Sequence, residues 1–184
     1  AFAMGPLDFL RPFISPIYAW SSAVGPRGRA RLPWSIAFLF EHIARTLSGT
    51  GRTLQIKPVL ANIGEAFRAD AKAAGMTVVV GGWESIGGRR PEEARWFSVR
   101  LDTKTAPWAF ARGEPFRTIA ALEMYATLLS IILFSSSWPS DAEGGIKLTG
   151  ATDNSGTPFA VSRLMTSKFP MVIVLAELAE QLRD

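Results

Sequence analysis

Three acids stand where carboxylate chemistry is possible: Asp70 in FRADAKA, Glu123 in IAALEMYATLLSIIL and Asp153 in ATDNSGTP. Residues 146–151 have the β-branched and apolar content of a short strand, and Gly156 and Pro158 open a helix. Asp153 therefore falls at a strand-to-helix junction, the rim of a sheet. An Asp there, or Ser155 beside it, also suits the N-cap of the following helix, and that plainer role stays open for Asp153. Glu123 interrupts an apolar run. A buried, ionised carboxylate without a partner is strongly unfavourable, so Glu123 should face a cation, sit at a wet edge or be neutral. Oxygen ligands converging from three elements suit Mg²⁺ (or Mn²⁺), a hard cation with octahedral coordination that keeps several waters. Two such ions can activate a water and stabilise the leaving oxygen of a phosphodiester. The separations of 53 and 30 residues along the chain decide nothing alone; the elements between the acids must bring them together.

Composition narrows the alternatives. With no cysteine and a single histidine, His42, the chain has no thiol nucleophile, no disulfide framework, no cysteine-based zinc site and no multi-histidine metal site. At 184 residues, 48% hydrophobic and 20% charged, it has the make-up of a globular protein with room for one domain and an additional piece. A formal charge of +4 is compatible with a polyanionic partner. The opening AFAMGPLDFL lacks a basic stretch followed by an apolar core, so no secretory signal is read and an intracellular location is expected. It reads as an internal fragment. The apolar run at 119–134, sixteen residues broken by Glu123, suits a buried core helix better than a membrane span, and no membrane partner is expected.

The elements that must position the acids can be read in order. Three prolines among residues 1–24 (Pro6, Pro12, Pro16) permit short helical turns but not one long helix. GPRGRAR at 25–31 is a basic link, and residues 34–47 have mostly helical apolar spacing after Pro33. His42 lies on that helix as a surface or packing residue. The Gly-rich SGTGR at 48–52 marks a boundary; without the lysine and spacing of a phosphate loop it is a linker. Residues 54–59 and 66–71 are candidate strands, the second ending in Asp70. A turn at 72–75 leads into a β-branched strand at 76–83, and RWFSVRL at 95–101 alternates as a half-buried third strand. A long helix is expected at 117–134, a strand at 146–151, a helix from 158 to about 168, and a last amphipathic helix at 171–183, where Glu177 and Glu180 are solvated face residues.

The order is thus a strand with Asp70, two more strands, a helix with Glu123, a strand ending near Asp153, then two helices. FRADAKA, GGWES, IAALEMYATL and ATDNSGTPFAVSRLMTSKFP in this order resemble the ribonuclease H domain that follows the polymerase in reverse transcriptases of retrotransposons, DIRS-like and related protist elements above all. The resemblance covers about residue 54 to the end. It implies an α/β fold with a ribonuclease H-like mixed sheet, three antiparallel strands then a parallel fourth, with packing helices. Asp70, Glu123 and Asp153 take the place of that family's acids on strand one, helix A and the end of strand four, as catalytic residues and ligands of Mg²⁺ or Mn²⁺. Residues 54–184 would form this domain, C-terminally incomplete because the family's fifth strand and last helix, with its fourth acid, should follow the helix at 171–183. Residues 1–50, a small helical segment, more weakly resemble the end of the polymerase's thumb or connection region.

What the resemblance implies is hydrolysis of the RNA strand of RNA–DNA hybrids, with Lys72, Arg163 and Lys168 steering phosphates, and the polymerase region of the same polyprotein as partner. A catalytically inactive ribonuclease H-like module, binding nucleic acid or packing on a polymerase, is the alternative. A third reading is a soluble α/β domain whose acids are caps and surface charges. Three carboxylates close together favour the metal site; carboxylates splayed apart or paired with arginines favour a scaffold.

Overall fold

A computed structural model describes residues 8–26, 28–49, 61–85, 90–138, 146–153, 156–166 and 168–182. By contacts the chain divides into two compact units, residues 1–56 with 163–184, and residues 57–162.

Among the described residues the second unit holds four strands: β1 (Ala61–Ala74), β2 (Thr77–Glu84), β3 (Trp96–Leu101) and β4 (Ile146–Ala151). They lie in the order β3-β2-β1-β4. The first three are antiparallel neighbours and β4 runs parallel to β1. With its packing helices this is an α/β fold with a mixed sheet, consistent with a ribonuclease H-like fold.

Fourteen residues long, β1 far exceeds the expected 66–71. Its sequence, ANIGEAFRADAKAA, is poor in β-branched residues, and partners on both sides supply what propensity does not. The expected strand at 54–59 lies outside the described residues. The hairpin turn is also not at 72–75: Ala74 pairs directly with Thr77, leaving a two-residue loop. Gly75, at φ +54°, takes the first loop position, where a II′ turn needs positive φ. Lys72 consequently belongs to the strand, opposite Val79.

The helix α3 (Ile119–Phe134) packs on β1 and β2. Along β2, Val78, Val80, Gly82 and Glu84 are buried in alternation, and Leu122 and Met124 of α3 are fully buried. Each large apolar side chain so enclosed stabilises by roughly 1.5–3 kcal/mol. Small residues in the facing strands, Ala69, Ala71 and Gly82, let the helix come close; a Cβ on Gly82 would stand 2.7 Å from Ser130 Oγ. Taken with the flanking turns, Pro115–Ser137 is long and apolar enough to cross a membrane, but more than half of its apolar window is buried within the protein. Its apolar character is that of a core helix.

The first unit holds α1 (Arg11–Val24), α2 (Trp34–Gly49) and α5 (Met171–Gln181). Against expectation, α1 is one continuous 14-residue helix. Pro12 sits in its first turn, where no N–H partner exists to lose, and Pro16 follows one turn later, removing a single intrahelical bond. The last helix, which the sequence reading assigns to the domain beginning at 54, packs instead on α1. Val174, Leu175 and Leu178 are its buried face, and Glu180 Oε1 lies 3.3 Å from His42 Nε2. His42 also packs against Phe13, ring centroids 4.3 Å apart. Its role is packing, as the sequence suggested. Glu177 is exposed, whereas Glu180 is half-buried against His42.

Candidate metal centre

The centre forms where β4 stops before β1 does. Their pairing ends at Arg68↔Ala151, while β1 continues to Ala74. Past that point the backbone donors on this edge of β1 must find other partners. One is supplied by α3: the Ala71 N–H donates to Glu123 Oε1 at 3.2 Å. Immediately after β4, the Thr152 hydroxyl donates to Glu123 Oε2 at 2.8 Å. Glu123, only 2% exposed, thus fills the notch between the two strands with both oxygens engaged.

Asp70 is the neighbour of Ala71 on β1, and Asp153 lies two residues beyond the end of β4, so the parallel register carries both to the same level. One carboxylate oxygen each from Asp70, Glu123 and Asp153 lies within 4.8 Å of the others, with both aspartates exposed and Glu123 buried. The helix α4 (Gly156–Arg163) begins three residues after Asp153, which takes Asp153 out of the N-cap position; Ser155 lies outside the described residues.

The Glu123 carboxyl is raised above the usual carboxylate range, first by burial and then by the charges of Asp153 and Asp70; the hydrogen bonds from Thr152 and Ala71 oppose the rise. These are the electrostatics of a site short of positive charge. All three donors are hard oxygens, the set Mg²⁺ or Mn²⁺ prefers over softer metals. Oxygens on one Mg²⁺ stand about 3 Å apart when cis and about 4.2 Å when trans, at a bond length of about 2.1 Å; with the three oxygens within 4.8 Å of one another, rotation of the exposed Asp70 and Asp153 side chains lets them share one ion. With that movement the residues fit a divalent cation.

Of the basic residues expected to steer phosphates, Lys72 is exposed on β1 two residues from Asp70, on the same face of the strand. Arg163 and Lys168 are exposed but fall in the first unit, not in the one that carries the carboxylates. The helix before Lys168 ends at Arg163 rather than near 168 because Leu164 takes a left-handed conformation, φ +49°. The sequence reading missed Thr152 and the Ala71 N–H as the groups that hold Glu123. Neither has a signature of its own, since each depends on β4 ending before β1.

Fold and site together define an α/β protein with a three-carboxylate centre at the rim of a mixed sheet. Comparison with protein-family models, curated proteins and solved structures gives no match for this chain.

Proposed function

We propose that the sheet unit is a metal-dependent nuclease of the ribonuclease H-like class, acting on the RNA strand of RNA–DNA hybrids. The observation that carries this reading is the convergence of Asp70, Glu123 and Asp153 from a strand, a helix and the end of a second, parallel strand. Asp70, Glu123 and Asp153 would hold Mg²⁺ or Mn²⁺, which when bound would supply Lewis acidity toward a phosphodiester and activation of water. The chain's own contribution is positional. Ala71 and Thr152 fix Glu123 in the notch, and the exposed Asp70 and Asp153 offer oxygens on the solvent side, where a backbone phosphate can approach. A hybrid is distinguished from DNA by groove shape and 2′-hydroxyl contacts. Lys72 stands closest in sequence to the site as a phosphate contact, and the proposed protein partner is the polymerase region whose end residues 1–50 weakly resemble.

One observation favours a second reading. Both Glu123 oxygens already accept hydrogen bonds from the chain, as they would in a non-catalytic module that binds nucleic acid without cutting it. Incubating the full chain with end-labelled RNA annealed to DNA, with Mg²⁺ or Mn²⁺ and then with EDTA, separates the two. The nuclease reading expects metal-dependent cleavage of the RNA strand only, abolished in Asp70→Asn and Asp153→Asn. Hybrid binding without cleavage under either metal would leave the non-catalytic module.

A further inference from the structure

The sheet face turned away from α3 has an arrangement that the metal centre does not account for. Gly82 faces Ser130 of α3, so its neighbours Gly81 and Trp83 point the other way, and the register extends that face across three strands. Trp83 pairs with Trp96, Asp70 with Gly81 and Gly81 with Ser98, and Lys72 with Val79 and Val79 with Arg100. The tryptophans are 45% and 74% exposed. Between them and the row of Lys72 and Arg100, Gly81 leaves a shallow depression of about 430 Å³ that Asp70, Lys72, Val79, Trp83 and Trp96 help to line.

Two exposed indoles opposite one another on the sheet are unfavourable in water, and the flanking cations give the face a defined complement. Stacking on the indoles requires a flat π-system, while Lys72 and Arg100 require an anion beyond it. An unpaired nucleic-acid strand offers both in alternation, whereas a duplex hides its base faces. Asp70 lines the depression and also belongs to the metal centre, so the face leads to the carboxylates. We infer that this face is a platform for unpaired nucleotides, with bases stacked on Trp83 and Trp96 and phosphates held by Lys72 and Arg100. The inference rests on reading the sheet unit as a nucleic-acid-handling domain, and deepens it by naming a single-stranded flank of the substrate as what the platform takes.

Binding of labelled oligouridine to the full chain, followed by fluorescence anisotropy in EDTA, tests the platform without hydrolysis. Trp96→Ala and Trp83→Ala should each weaken binding roughly 5- to 150-fold, the range for loss of one base–aromatic stack. Trp96→Phe should retain most of the affinity, and circular dichroism should show the fold unchanged in all three. Lys72→Ala and Arg100→Ala should each lower the slope of log affinity against log salt by about 0.7. The proposal is overturned if oligouridine binds no more tightly than a blunt duplex of equal length, or if the Trp83→Ala/Trp96→Ala double variant binds like the parent. Tryptophan-dependent binding by a chain that never cuts hybrid supports the platform and removes the nuclease reading. Metal-dependent cutting with tryptophan-independent binding does the reverse.

Discussion

The Thr152 hydroxyl, one residue past the end of β4, donates to the Glu123 carboxylate of α3 at 2.8 Å. This bond ties the helix to the point where β4 leaves the sheet, and it makes the same carboxylate both a structural plug and a candidate ligand. The pH dependence of the metal-free chain follows from that double role. Because the native state raises the pKa of Glu123, it binds this proton more tightly than the unfolded chain does. The stability so gained is full below the unfolded value, about 4.5, and is lost as pH rises through the higher native value. Glu123→Gln should remove that fall, since a Gln amide can accept from Ala71 and donate to Thr152. Urea unfolding in EDTA across this pH range should find the variant less stable than or equal to the parent in acid and more stable at neutral pH. Parallel curves for the two proteins would contradict this account of Glu123.

Divalent metal should reverse the same penalty by binding the ionised form. At about a hundred times its Kd, an ion that binds only the native state adds roughly 2.7 kcal/mol. Thermal melts with millimolar Mg²⁺ or Mn²⁺ against EDTA should show the gain in the parent and little of it in Asp153→Asn. Without metal, Asp153→Asn should be as stable as the parent or more so, because one of three mutually repelling charges is gone. A melting temperature indifferent to both ions would end the case for a metal centre.

A second buried carboxylate is held differently. The Glu84 side chain is fully buried, and Arg95 grips it with Nε to Oε2 and Nη2 to Oε1, both at 3.0 Å. The Ser137 hydroxyl also donates to Glu84, and Arg95 donates to the Phe134 carbonyl at 2.9 Å, so one arginine joins β2 to the end of α3. Arg95→Ala should destabilise by about 3 kcal/mol, the low end for breaking a buried pair, since Arg95 is itself 39% exposed. Arg95→Lys should recover only part of the loss, because an ammonium cannot reproduce the two-pronged contact. Chemical denaturation of the three proteins measures both differences.

Gly82 tests the closeness of helix and sheet. A methyl there would meet Ser130 Oγ at 2.7 Å, and both the Arg68 carbonyl oxygen and Phe97 Cε1 at 2.9 Å. Gly82→Ala should lose about 1–3 kcal/mol by overpacking. Adding Ser130→Gly should restore part of it in a double-mutant cycle, since only one of the three clashes is thereby removed.

Much of the sheet was legible because its cues are local. The alternation in RWFSVRL and the β-branched run of β2 declare half-buried strands, and the apolar stretch of α3 declares a helix laid on a sheet. The order of these elements placed Asp70 on one strand and Asp153 at the end of its parallel neighbour, and the structure has Asp70 on β1 and Asp153 two residues past the end of β4. Other features had no local cue. The length of β1, the two-residue turn at Gly75 and the strand position of Lys72 come from pairing with β2 and β4, which overrides an alanine-rich sequence. The prolines of α1 argued against a continuous helix, yet their places in its first two turns leave it intact. The amphipathic pattern of α5 fixed that it is a helix but not which core it completes. Likewise the sequence could nominate Glu123 as an acid in an apolar setting. Only the tertiary structure decided that its two oxygens are held by Ala71 and Thr152, because those donors exist where one strand outlasts its neighbour.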